Sequence, residues 1–339
     1  MKRHLRYISP FMAAFMMILL IMDAKTAYMG AMEGIRMCIE VIIPSLFPFI
    51  VVSNFLCASL IGTHLPGFKC IGSFFRLPKG SESLIVVGLL GGYPVGAQLI
   101  GDAYKRGSLD KRSAHILLGY CNNAGPAFIF GVISSLFSRP KITIIIWAIH
   151  ILSALGAGYL LPRPEMHKAH IDNQCTNTLV KAVHNSILAI TSVCGWVIIF
   201  KILITYISLF LKGKVSQLCM ITLSGLFELS NGCIQLSGCS NEQIRFLLSV
   251  VFLNLGSICV LLQTASVTEK LGLGLYIPGK IIQTGIGVLL CLVTTPLLFH
   301  HTPLSIGNHL LFSFVSIVVI LFSRKYCKNK CRIMWNHHV

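Results

Sequence analysis

The chain has 339 residues, of which 55% are hydrophobic and only 12% charged, and its net charge is +17. Soluble globular domains carry about 25% charged residues, so this composition excludes one and leaves a membrane protein with several apolar windows of about 20 residues. The bases sit in loops and tails, where they set topology beside anionic lipid, so the excess charge points to a lipid surface and not to nucleic acid.

Lys2, Arg3 and Arg6 precede an apolar run from Ile8 to Met22. No small-x-small cleavage site follows, so 1–30 reads as an uncleaved first helix. The next apolar run, 35–61, contains Pro44 and Pro48, which remove N–H donors and are expected to kink it. Arg36 and Glu40 are spaced to pair across one turn at its start. A polar link follows at 62–82.

Residues 88–131 are the most informative stretch, GLLGGYPVGAQLIGDAYKRGSLDKRSAHILLGYCNNAGPAFIFG. Two apolar segments, 83–100 and 113–137, are each interrupted by a polar Gly/Pro knot. The first knot is Gly91-Gly92-Tyr93-Pro94-Val95-Gly96, the second Cys121-Asn122-Asn123-Ala124-Gly125-Pro126. Helix breaks at bilayer depth free backbone N–H and C=O groups that lipid cannot satisfy, so they persist only in protein or around a wet cavity. The basic stretch 101–112 separates the two segments, and a clean span at 142–161 closes the unit.

A loop at 162–178 joins the halves. Beyond it lie a span at 182–210, a short apolar segment at 217–236, spans at 244–267, 277–298 and 303–323, and a basic tail, 324–339. If 83–100 and 217–236 are re-entrant, 20 of the 28 Lys and Arg fall on the cytoplasmic side, among them Lys270 and Lys280, with Lys201 inside a span. Full crossing would put 17 there, so the positive-inside rule favours re-entry and both termini in the cytoplasm.

The expected fold is therefore an all-α polytopic membrane protein of about eight transmembrane helices plus two re-entrant or broken helices. It divides into a first repeat over 31–161, a second over 179–270 and two C-terminal helices over 271–323. Leu89-Leu90-Gly91-Gly92 has a counterpart near Leu226-Phe227-Glu228, and Cys121-Asn122-Asn123-Ala124-Gly125 near Leu253-Asn254-Leu255-Gly256. The first helices of the repeats run in opposite directions, so the repeats are inverted, an arrangement that places a binding site where they meet.

The candidate solute-binding residues are Asn122, Asn123, Gly92, Tyr93, Gln98, Glu228 and Asn231. The two asparagine amides can both donate and accept, which suits a solute with mixed polar edges; they can equally rejoin backbone groups released at Gly125-Pro126. Gly91, Gly92, Pro94 and Gly96 allow close backbone approach. Glu228, in an apolar run beside Ser224, Ser230 and Asn231, is the most unusual acid; it serves either coupling or solute binding, or pairs with Lys201. Asp102 is placed at the membrane surface.

The thirteen cysteines include no C-x-x-C pair and no His at ligand spacing, so neither disulfides, a metal nor a cofactor is expected. Cys327 and Cys331 in the tail would suit acylation. No catalytic set is present, so the chain is not read as an enzyme.

The motifs G-G-Y-P-x-G-A and C-N-N-A-G-P, the acidic-basic turn between them and PSLFPF at 44–49 resemble the sporulation integral membrane protein family. That family carries the nucleoside-recognition, or Gate, domain, also found in spore maturation proteins, ferrous-iron permeases and concentrative nucleoside transporters. The likeness covers most of residues 33 to 270. It implies a plasma-membrane protein needed for the spore cortex, and it supplies no substrate. Where the family has a His in the second half, this chain has Cys259. Two functions are thus expected in competition. One is transport or sensing of a small polar solute, with or without a coupling cation. The other is a non-transporting scaffold for sporulation partners; the sequence sets no oligomeric state.

Overall fold

The first described long helix begins where Asp23 accepts a hydrogen bond from the Thr26 N–H at 3.1 Å, a side-chain N-cap. The computed structural model describes residues 16–60, 82–162, 179–268, 271–299 and 316–327, together with residues 14, 75 and 329. All regular structure among these is helical. Of the expected segments, nearly all of the link at 62–82 and of the loop at 162–178, about half of the span at 8–22 and most of that at 303–323 lie outside the described residues.

Helix α1 (Ala24–Met37) passes through a π turn (Cys38–Ile42) into α2 (Ile43–Leu60). The π turn is the physical response to Pro44. Its wider turn relieves the clash between the proline ring and the carbonyl four residues earlier. Arg36 and Glu40 pair as their spacing predicts, Nε to Oε1 at 2.8 Å.

The two expected broken segments are broken. Residues 83–100 form α3 (Glu82–Leu90) and α4 (Val95–Lys105), and residues 113–137 form α5 (Lys111–Leu118) and α6 (Pro126–Gly131). Then come α7 (Pro140–Leu160) and α8 (Leu179–Leu211). The second half contains α9 (Gln217–Phe227), α10 (Leu229–Gln235), α11 (Glu242–Leu255) and α12 (Ile258–Val267). The last long helix is α13 (Tyr276–Leu298), and residues 316–327 are helical.

Five stretches among the described residues are long and apolar enough to cross a membrane: Ala24–Leu56, Pro140–Leu160, Leu179–Leu211, Glu242–Val267 and Tyr276–Leu298. Their outward residues are apolar, as at Val52, Val293 and Leu297, which suits contact with acyl chains. Their packing follows membrane rules, with small residues where backbones meet. A Cβ on Gly30 would meet the Ile202 Cα at 2.9 Å, and one on Gly34 the Ile198 Cα at 3.0 Å. These two glycines, four residues apart, seat α1 against α8. Helices α7, α11 and α13 pack on one another on the other side, and the broken segments lie between.

Cys327 is fully buried, which argues against its use for acylation; its thiol faces the helical core formed with α13 and not a lipid surface. Cys331 lies outside the described residues.

Candidate functional site

The interruptions in the first half are held together backbone against backbone. Gly88 and Gly96 both lie on the Cys121 carbonyl, where a Cβ on either would collide with it. Gly92 has φ +77°, and a Cβ on Gly125 would meet its Cα at 2.9 Å. Glycine is needed at these positions because two chain reversals touch there, the structural role the sequence assigns to them. Neither α4 nor α6 has a side-chain N-cap of its own. The Ala97 N–H on the first turn of α4 instead donates to Asn122 Oδ1, 3.3 Å away on the neighbouring break.

Asn122 and Asn123 are both fully buried. Asn122 Nδ2 donates to Thr264 Oγ1 on α12 at 2.9 Å, so this residue joins α4 to the second half. Asn123 Nδ2 donates to the Tyr120 carbonyl at 2.6 Å, returning a partner to a helix-end acceptor. Its oxygen turns the other way and meets α13. Asn123 Oδ1 accepts from Lys280 Nζ at 2.9 Å and from Gln283 Nε2 at 2.9 Å. Gln283 Nε2 also donates to Asn254 Oδ1 at 3.0 Å, and Gln283 Oε1 accepts from Lys280 Nζ at 2.9 Å. One glutamine amide thus joins the break after α5 to the end of α11.

Asn254 mirrors Asn123. Its Nδ2 donates to the Val250 carbonyl at 2.9 Å, and its Oδ1 faces the centre. That oxygen also accepts from Ser153 Oγ at 2.7 Å and lies 2.9 Å from His150 Nδ1, both on α7.

Lys280 corrects the charge count made from sequence. It is 2% exposed, one turn inside α13, and not a cytoplasmic loop base. Its ammonium faces the rings of Tyr93 at 5.5 Å and Tyr276 at 5.7 Å and forms no ion pair with any described carboxylate.

In the second half the chain breaks at Glu228, between α9 and α10. The carboxylate caps α10 in place, accepting from the Ser230 N–H at 2.9 Å and the Asn231 N–H at 2.6 Å. A negative charge at a helix start is favoured by the backbone dipoles and replaces water for the buried group. Lys201 does not form the expected ion pair with Glu228. It pairs with Glu33 at 3.2 Å and donates to Asn231 Oδ1 at 2.8 Å, because Glu228 is already committed to the backbone of α10.

A cavity of about 40 Å³ lies where the two sets of breaks meet. Gly91, Gly92, Tyr93, Ala124 and Gly125 form one wall and Glu228, Leu229 and Ser230 the opposite one, with Gln263 and apolar residues of α2 and α8 between. Of the residues singled out from sequence, Gly92, Tyr93 and Glu228 line this cavity. Asn122 and Asn123 stand behind it in the polar network, and Asn231 links it to Lys201. Gln98 is not brought in. It is only half-buried on α4 and lines neither cavity nor network. Asp102 is half-exposed near the end of α4, 3.8 Å from Lys105.

The residues that sequence reasoning missed are Lys280, Gln283, His150, Ser153 and Thr264. Their signal was present in part: Lys280 with Gln283, and His150 with Ser153, are polar pairs three apart on otherwise apolar helices, which places both members on one face. Cys259, buried one turn before Gln263, accepts from its Nε2 at 3.2 Å. No group of three or more His, Cys, Asp or Glu among the described residues is placed to hold a metal ion.

Long apolar helices enclosing a polar centre built from interrupted segments define a multi-pass integral membrane protein. The chain is similar to the sporulation integral membrane protein YlbJ of Bacillus subtilis (strain 168), with 24% identity over 264 residues, covering 64% of this chain and 64% of that protein. It is thus related to sporulation integral membrane proteins, and it spans less than two thirds of the length of that relative. No family model matches the chain, and no solved structure does.

Proposed function

We propose that this chain is a plasma-membrane protein of endospore formation, needed for cortex assembly, that moves or senses a small polar solute at the cavity between its helix breaks. In this reading it has a Gate-type fold of two inverted repeats, with α3 to α6 answering to α9 to α12, about eight crossings and both termini in the cytoplasm. The observation that carries it is that interrupted segments from both halves wall one cavity containing a buried carboxylate, Glu228. The similarity to a sporulation protein supports the setting. Ligand sites usually enclose about 300–1,000 Å³, so a cavity of about 40 Å³ corresponds to a closed form that widens when solute enters.

That small volume is also the observation that favours the second reading, a scaffold whose site has closed for good. The two separate in a spore-former whose only copy carries Asn123→Ala or Glu228→Gln. Transport or sensing predicts heat-sensitive spores with a thin cortex at normal membrane abundance of the protein. Normal cortex in both strains removes the site from the function.

A further inference from the structure

The groups around Lys280 form a cation site, and its occupant is part of the chain. Asn123 Oδ1 and Gln283 Oε1 each accept from Nζ at 2.9 Å. Asn254 Oδ1 stands behind them, linked through Gln283 Nε2 at 3.0 Å. Asn123 lies in the break that follows α5, and Asn254 lies in the last turn of α11. Tyr93 and Tyr276 turn ring faces toward the ammonium at 5.5 and 5.7 Å, a second kind of cation-attracting surface. No described carboxylate lies within ion-pair distance of Nζ, so none supplies its counter-charge.

Neutral oxygens and two ring faces, without a carboxylate, are what a small monovalent cation would be given. We propose that the Lys280 ammonium occupies the place of such a cation, as a tethered ion that joins the two halves and removes any need for free sodium or potassium at this point. The inference goes beyond the solute reading and does not depend on it.

The test uses the purified full chain in detergent, with melting temperature followed in chloride salts of methylammonium, sodium, potassium and choline at equal ionic strength. Lys280→Ala should be destabilised and should regain about 3 °C or more in about 100 mM methylammonium or a small alkali cation relative to choline, while the wild type shifts by less than about 1 °C among all four. Absence of any cation preference in the folded Ala variant overturns the proposal, as does a wild type that needs sodium or potassium over choline. Should Lys280→Ala not fold in any salt, Lys280→Met decides. This chain is about as long but uncharged, so wild-type stability overturns the proposal and a clear loss upholds it.

Discussion

The helix breaks of the two halves solve one problem in different ways. In the first half the unwound stretches are longer, Gly91–Pro94 and Gly119–Gly125, and the helices that follow carry no side-chain caps of their own. α4 is satisfied from across the gap, by Asn122, while Asn123 closes its own break on the Tyr120 carbonyl. In the second half the breaks are short, at Glu228 and at Gly256-Ser257, and each following helix is capped by the break itself. Glu228 caps α10, and Ser257 Oγ accepts from the Val260 N–H at 3.2 Å. A break capped by its own residues can form alone; one capped from a neighbour forms only when both partners are in place. The first half therefore owes its shape to tertiary contact, and damage there should spread further.

The largest effect should come from filling the backbone contact of the first half. Gly96→Val drives side-chain atoms into the Cys121 carbonyl, and the recovery of monodisperse protein in detergent should fall to near zero. Gly195, in α8 with open space around its Cβ direction, is the control. Gly195→Ala should leave recovery unchanged or raise stability by up to about 1 kcal/mol.

Next in size is the link between halves. Asn123→Leu strips an acceptor from Lys280 and Gln283 and a donor from the Tyr120 carbonyl, and should cost about 3 kcal/mol in urea or thermal unfolding. With Asn254→Leu the two losses should be non-additive by more than about 0.5 kcal/mol, because both act through Gln283. Simple additivity would mean that the two breaks are not joined.

Smaller still is the loss of a local cap. Glu228→Ala should lower stability by about 1–2 kcal/mol and Ser257→Ala by about 1 kcal/mol, without the near-total loss expected at Gly96. The smallest effect belongs to the exposed pair Arg36 and Glu40. Arg36→Ala should change stability by less than about 0.5 kcal/mol.

The same contrast explains what could be read from the sequence. Backbone breakers announce themselves locally, so Gly91 to Gly96 and Cys121 to Pro126 were legible, as was Glu228, an acid alone in an apolar run. The partner of Glu228 was not. Which donors a buried carboxylate takes depends on where the chain turns, and at Glu228 it turns onto its own next helix. Lys280 was misassigned because a charge near the end of an apolar stretch looks the same in a linear count whether it faces water or the core. Only the packing of Gly279 onto the Gly119 backbone, which brings α13 against the break after α5, decides it. Gln98 failed for the converse reason, since its position along the chain is close to the site but it lines neither cavity nor network.

If the cavity between the breaks is a solute site, water must reach it. Ser230, on its wall, can be changed to Cys in membrane vesicles and treated with a water-soluble methanethiosulfonate, with modification read peptide by peptide so that the buried Cys121 and the lipid-facing substitution Val52→Cys serve as references. The account predicts that Ser230→Cys reacts while both references stay unmodified. A Ser230→Cys thiol as inert as Cys121 would contradict it.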